Sequence, residues 1–192
     1  MKLISLNVGK ASSLTVDAGR SVMSGIRKLA REGAVAVAPL GLDGDEQVDQ
    51  TVHGGLSKAV YAYPSEHYPF WQTVRAQAKA ADWGQALPLG SMGENLTLAG
   101  LLESQVWVGD VLRFPDCELV VSEPRYPCYK FNAVMGFNQA AKLMGQNTWC
   151  GFYLAVRTPG SLQAGQGFEL LPGPREVGIT ELFRVRMRGR KD

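Results

Sequence analysis

Eight short runs of apolar and β-branched residues, at 3–8, 34–38, 59–63, 105–108, 111–114, 118–122, 152–157 and 168–171, constrain this chain more than any other feature. Each is the length of a single strand and too short for a core helix. Between them glycine, proline, aspartate and asparagine recur, as in Pro39-Leu40-Gly41-Leu42-Asp43-Gly44-Asp45 and Thr158-Pro159-Gly160, which supplies turn chemistry at the spacing of an all-β architecture. The expected fold is mostly β, an α+β chain whose sheet closes or nearly closes into a barrel, with a few short helices. Gly109-Asp110 reads as a tight turn between the runs 105–108 and 111–114.

Two stretches carry helical periodicity instead. After Pro64-Ser65, the residues Tyr68, Phe70, Trp71 and Val74 recur at spacings of three and four, with Pro69 in the first turn. Phe137, Ala140, Ala141, Leu143 and Met144 form a second stripe, which Gly145 would close. Near the end, Phe183, Val185 and Met187 alternate with arginines as a strand would, while Thr180 could cap a helix, so this piece stays open between the two. No repeat, low-complexity tract or linker divides the 192 residues, which predicts one domain over 1–175 and a basic tail or short helix over 176–192.

Charge and cysteine usage exclude several function classes. The net charge is +2, yet the last nine residues hold five cations against one acid, so the body is slightly acidic and offers no broad footprint for stable nucleic-acid binding. The tail itself reads as a solvated end. No apolar run spans a bilayer and no signal-peptide pattern opens the chain, so no membrane association and a cytoplasmic location are expected. Cys117, Cys128 and Cys150 lack CxxC spacing and suit neither a disulfide framework nor a zinc or iron–sulfur site. With no phosphate loop, no G-x-G-x-x-G and no HExxH, nucleotide hydrolysis, a bound nicotinamide and a zinc hydrolase all lack support.

The strongest chemical signal is Pro124-Arg125-Tyr126-Pro127-Cys128-Tyr129-Lys130. Two prolines stiffen a turn at a strand end, and Arg125 and Lys130 flank the thiol with positive charge, which favours the nucleophilic, metal-binding thiolate. Cys117, between Asp116 and Glu118, and Cys150, at the head of an apolar run, read as packing residues. The acidic, glycine-rich loop 41–55 ends in His53-Gly54-Gly55, whose amides, with His53 and Lys58, could form an anion-binding nest or a turn of positive φ. In Gly93-Glu94-Asn95, the glycine permits close backbone approach and the Asn95 amide can read a heterocycle edge.

Taken in order, Gly41-Leu42-Asp43-Gly44-Asp45, His53-Gly54-Gly55, Ala59-Val60-Tyr61-Ala62-Tyr63-Pro64, His67-Tyr68, Trp71, Gly93-Glu94-Asn95-Leu96, Gly109-Asp110, the Cys128 motif and Gly151-Phe152-Tyr153-Leu154-Ala155-Val156 resemble the MOSC domain family, named for the C-terminal domain of molybdenum cofactor sulfurases, in its small stand-alone YiiM-like branch. The resemblance spans roughly residues 3–171. It implies a β-barrel-like fold and a molybdenum cofactor whose metal is bound by Cys128; pyridoxal phosphate is not expected. It further implies reduction of N-hydroxylated compounds, such as hydroxylaminopurine bases, to amines. Without nicotinamide, flavin or cluster motifs of its own, the chain would draw electrons from an external reductase, for which a flavoprotein is expected, and a homodimer is a compatible assembly. For the pterin and its phosphate, the natural candidates are His53, Gly54, Gly55, Lys58, Gly93, Glu94, Asn95, Arg125 and Lys130, while Asn95 or Asp45 would hydrogen-bond the hydroxylamino group. Two alternatives use the same residues: a sulfur carrier with a Cys128 persulfide in cofactor maturation, and a non-catalytic cofactor carrier. Longer members of the branch continue into a C-terminal helical extension, whereas this chain stops at Asp192.

Overall fold

The computed structural model describes residues 1–48 and 54–189. In chain order its strands are β1 (Lys2–Val8), β2 (Ser12–Thr15), β3 (Ser21–Ser24), β4 (Leu29–Ala30), β5 (Val35–Ala38), β6 (Gly41–Leu42), β7 (Val60–Pro64), β8 (Leu96–Ala99), β9 (Val111–Arg113), β10 (Glu118–Pro124), β11 (Phe152–Thr158), β12 (Gly160–Leu162) and β13 (Glu169–Leu171). The α-helices are α1 (Tyr68–Gln77), α2 (Tyr129–Met135), α3 (Ala140–Asn147) and α4 (Ile179–Arg188). The large sheet runs β13-β9-β10-β11-β7-β8-β1-β4, antiparallel throughout except for the pair β7–β8. A second sheet, β12-β5-β6, and the separate hairpin β2–β3 complete the architecture.

The mostly β character is as expected, but among the described residues no sheet closes into a barrel: the large sheet keeps two ends, β13 and β4. The segment ahead of β13 does approach β1, through Leu3 N–H to Gln166 at 2.9 Å, Gly165 N–H to Leu3 at 2.7 Å and one isolated bridge, Lys2–Gly167. That segment turns at Gly165, whose φ is +93°, and its contacts with β1 stay at these few bonds and one bridge. The opposite edge strand, β4, is only two residues long, which limits its exposed backbone.

Burial follows the strand period where one face is wet. In β10, Leu119 and Val121 are buried while Val120 and Ser122 are half-buried. Central β7, flanked by β11 and β8, is buried at every position, as its unbroken Val-Tyr-Ala-Tyr-Pro text suggests. Leu3, Leu6, Leu96, Leu98, Leu112, Leu119, Phe152 and Leu154 fill the space between the faces, each contributing ~1.5–3 kcal/mol on burial.

Three local expectations change and one open reading is resolved. Residues 105–108 are not a strand; a short 3-10 turn, Glu103–Gln105, leads to a single bridge between Trp107 and Gly178. Gly145 lies inside α3, which ends instead at Thr148 in the left-handed region. The C-terminal piece is helical, because Ile179 and Phe183 are buried and Met187 packs one further turn on, a spacing of four, whereas Val185 is exposed. The cysteine turn runs directly into α2, a helix of seven residues that the sequence pattern did not disclose. No helix among the described residues is long and apolar enough to cross a membrane.

Candidate functional site

The residues that the cysteine turn exposes face a solvent-open cleft of about 670 Å³, bulk solvent included. Its walls come from distant parts of the chain: the end of β3 and the stretch to Lys28, the loop after β6, Lys58 and Tyr61 around the start of β7, Met92 to Asn95 ahead of β8, the turn after β10, and Tyr153 of β11. Sheet register explains the convergence, since Tyr153 lies opposite Glu123 of β10 on one side and Tyr61 of β7 on the other. Asn95 then accepts the Tyr61 N–H on its Oδ1 at 3.0 Å, tying the approach to β8 onto β7.

Cys128 is half-buried and occupies the N-cap of α2, its carbonyl accepting from Phe131 N–H at 3.0 Å. First-turn amides without helical partners concentrate partial positive charge there. Three residues earlier, Arg125 is only 4% exposed. Its guanidinium carbon lies 5.6 Å from the Tyr61 ring centre and 5.1 Å from that of Phe131, and Nη1 donates to the Met144 sulfur at 3.2 Å. Among the described residues no carboxylate pairs with it. Burial opposes its charge, yet Tyr61, Cys128 and Tyr153 outweigh that cost and hold it above its ordinary range, so it stays protonated. The Tyr153 phenol, in turn, is pushed up to about 12 by burial, with Arg125 pulling the other way.

Three lysines add to this field. Lys58 lies 3.8 Å from Glu123 and 5.9 Å from the Tyr153 ring centre; Lys130 donates to the Met23 carbonyl at 3.3 Å; Lys28 forms a buried pair with Asp45 at 2.5 Å. Asp45 also accepts from Gly9 N–H at 2.8 Å and from Asn95 Nδ2 at 3.0 Å, while Asn95 Nδ2 reaches the Asn7 carbonyl at 3.2 Å. Asp45 and Asn95 both line the cleft, but their polar atoms join three loops, and substrate hydrogen bonding would have to exchange those partners.

Other expected groups sit elsewhere. Glu94 lies beneath the cleft, fully buried, where its carboxylate accepts from Gly90 N–H at 2.9 Å, Met92 N–H at 3.0 Å, Thr97 Oγ1 at 2.6 Å and Tyr68 OH at 2.5 Å. It folds the 90–94 turn and does not reach the cavity; burial raises its pKa despite those donors. Gly55 has φ +83° and gives its amide to Gln47 at 3.0 Å, and neither it nor Gly54 lines the cleft. Of the two readings open for this stretch, Gly55 takes the turn of positive φ, and Gln47 also donates to the Leu40 and Ala59 carbonyls and fastens the loop. His53 lies outside the described residues. Lys28, Tyr61 and Tyr153 were missed as site residues; Tyr61 and Tyr153 stand within quoted motifs but read there as strand residues, and Lys28 stands in no motif. Cys117 and Cys150 are buried away from the cleft, Cys117 pushed up to about 11 by burial and Asp116, and Cys150 pushed up strongly by burial and Glu103.

Comparison with known proteins gives consistent relatives. A family model described as the MOSC domain matches residues 49–169. The uncharacterized protein YflK of Bacillus subtilis is 37% identical over 185 residues, covering 96% of this chain and 79% of that protein. A protein named "Reductase" from Gibberella moniliformis is 31% identical over 157 residues, 81% of this chain but only 27% of that longer protein. The crystal structure of YiiM from Geobacillus stearothermophilus superposes with a TM-score of 0.76 at 29% identity, over 100% of this chain and 86% of that one.

Proposed function

The chain belongs to the MOSC domain family, and we propose that it is a molybdenum-cofactor-dependent reductase that converts N-hydroxylated compounds, hydroxylaminopurine-type bases among them, into amines. One juxtaposition carries this reading: a half-exposed thiol, Cys128, and a buried guanidinium, Arg125, without a carboxylate partner among the described residues, open onto one cleft. A buried charge calls for a counter-charge, and a soft thiolate suits a soft metal centre. The donor set thus fits a cofactor joining a thiolate-bound metal to anionic groups: Cys128 would ligate the molybdenum, and Arg125, Lys58 and Lys130 would meet the anionic part.

When bound, the cofactor supplies two-electron reduction of the N–O bond. Each hydroxylamine, R–NHOH, takes up two electrons and two protons and leaves as R–NH₂ and water. With no nicotinamide, flavin or cluster motif in the sequence, the electrons come from an external reductase, for which a flavoprotein drawing on NADPH is the natural class. The chain's own residues shape the rest. The Lys28–Asp45–Asn95 network fixes three loops around the cleft, and Tyr61, whose hydroxyl donates to the Cys150 carbonyl at 2.8 Å, offers the cavity its ring. The test is hydroxylaminopurine reduction with a chemical electron donor, comparing the parent, purified from cells that make the cofactor, with Cys128→Ser. Turnover by the parent and a loss of at least about a hundredfold in the variant are expected. Equal rates at equal folding and metal loading would remove Cys128 from the chemistry, and cyanide-labile sulfur without molybdenum would favour a sulfur carrier.

A further inference from the structure

Helix α4 contributes no residue to the cleft and lies beyond residue 169, where the family match ends. It is nevertheless packed against the cysteine turn. The Phe183 ring, fully buried, stacks on Tyr126 with centroids 5.6 Å apart and planes within 5°. The Arg186 guanidinium carbon lies 5.6 Å from the centre of the same Tyr126 ring. Arg186 also places Nη1 3.6 Å from Glu123 Oε2, and Glu123 Oε1 is 3.8 Å from Nζ of the cleft-lining Lys58.

Residues 125–128 belong to no strand or helix, so no backbone ladder holds this stretch in place. Side-chain contacts therefore bear much of its placement, and Pro127, which fixes the backbone between Tyr126 and Cys128, limits how far the two can move independently. Glu123 meanwhile serves two cations. Loss of one leaves its whole charge to the other, so Arg186 limits how far Lys58 is drawn away from a ligand.

We propose that α4 is a positioning clamp for the cleft: Phe183 and Arg186 fix Tyr126, and through it the Cys128 turn, while Arg186 shares Glu123 with Lys58. These are positioning residues, since neither touches the cavity. The consequence for the cofactor rests on the reading of Cys128 as the metal ligand, whereas the clamp itself can be tested without it.

The experiment measures iodoacetamide labelling of Cys128 in the cofactor-free full chain, resolved by peptide mass spectrometry, and molybdenum per chain in protein from cells that make the cofactor. Phe183→Leu keeps an apolar side chain and removes the ring; Arg186→Gln removes the charge; Arg186→Lys restores it; Arg184→Gln alters an exposed neighbour on the same helix. Labelling is expected to rise about threefold or more in Phe183→Leu and Arg186→Gln, the scale of one cation–π or ring contact. Molybdenum content falls in both, Arg186→Lys returns towards the parent, and Arg184→Gln matches it. If Phe183→Leu unfolds, Arg186→Gln decides alone, because that side chain is 54% exposed and leaves the core intact. Parent-like labelling and metal content in Arg186→Gln, or an equal change in Arg184→Gln, overturns the clamp, and no recovery in Arg186→Lys overturns the shared-carboxylate part. A parent that takes up no molybdenum overturns the proposed function while the labelling rates still judge the clamp.

Discussion

Replacing Arg125 with methionine separates what the fold needs from what a ligand needs. Arg125 is 4% exposed and lacks a carboxylate partner among the described residues. Its desolvation costs several kcal/mol. Against that stand its contacts with Tyr61 and Phe131, ring centres 5.6 and 5.1 Å away, each contributing ~1–2 kcal/mol when desolvated. The opposing quantities nearly cancel, so Arg125→Met should shift the cofactor-free chain's unfolding free energy by less than about 1.5 kcal/mol, or raise it. Binding responds differently. A charge-assisted hydrogen bond to an anion contributes ~1.5–3 kcal/mol, or ~10–150-fold in affinity. Urea denaturation of the cofactor-free proteins and molybdenum content of the loaded ones make up the assay, with near-equal stability and occupancy down at least about tenfold expected. A variant that loses more than about 3 kcal/mol yet fills with metal like the parent would make Arg125 a strut of the fold and refute its role towards an anion.

Native protein at pH 8 should offer iodoacetamide one fast thiol, Cys128, because Cys117, pushed up to about 11, is only ~0.1% thiolate there and Cys150 is fully buried; three fast thiols before denaturation would contradict this burial. Asp45→Ala strands Lys28, whose side chain is 8% exposed, and should cost ~3–5 kcal/mol in urea denaturation, against ~1 kcal/mol or less for Glu118→Ala, whose partners Arg113 and Arg157 are 52% and 60% exposed and return to water. Gly93→Ala combines φ +83° with a Cβ 2.8 Å from Ile26 Cγ1; a loss of ~1–3 kcal/mol is expected, and a neutral result would show the cleft wall to be yielding. Glu94 has its folded pKa raised by burial, so the folded chain holds that proton more tightly than the unfolded chain. Parent stability measured against Glu94→Gln should therefore decline as pH rises from the ordinary carboxylate value through the raised one, and an increase over that window would show that the hydrogen bonds outweigh burial.

Much of this organisation was legible where one strand carried its own pattern. β1, β7, β10 and β11 announced themselves because alternation or an unbroken apolar run marks the buried face regardless of neighbours. Residues 105–108 misled because Val106 is buried as the residue that ends a 3-10 turn and not by strand pairing. Closure of the barrel was out of reach, since it depends on whether residues 165–168 form a ladder or a few bonds with β1, which no local pattern encodes. In α4 the stripe at Ile179, Phe183 and Met187 prevailed over a strand-like alternation of equal strength in the text. The site divides the same way. Cys128, Arg125 and Lys130 are neighbours in sequence and their joint placement could be read, whereas Tyr61 and Tyr153 meet them only because β10, β11 and β7 lie side by side, and Lys28 lines the same cleft from the stretch before β4, paired with Asp45.

Molybdenum per chain, measured for the parent, Cys128→Ser and Cys117→Ser purified from cells that synthesise the cofactor, tests the central claim most directly. About one atom per chain in the parent and in Cys117→Ser, with little or none in a folded Cys128→Ser, is the expected result. Undiminished metal in Cys128→Ser would contradict the assignment of that sulfur as the ligand.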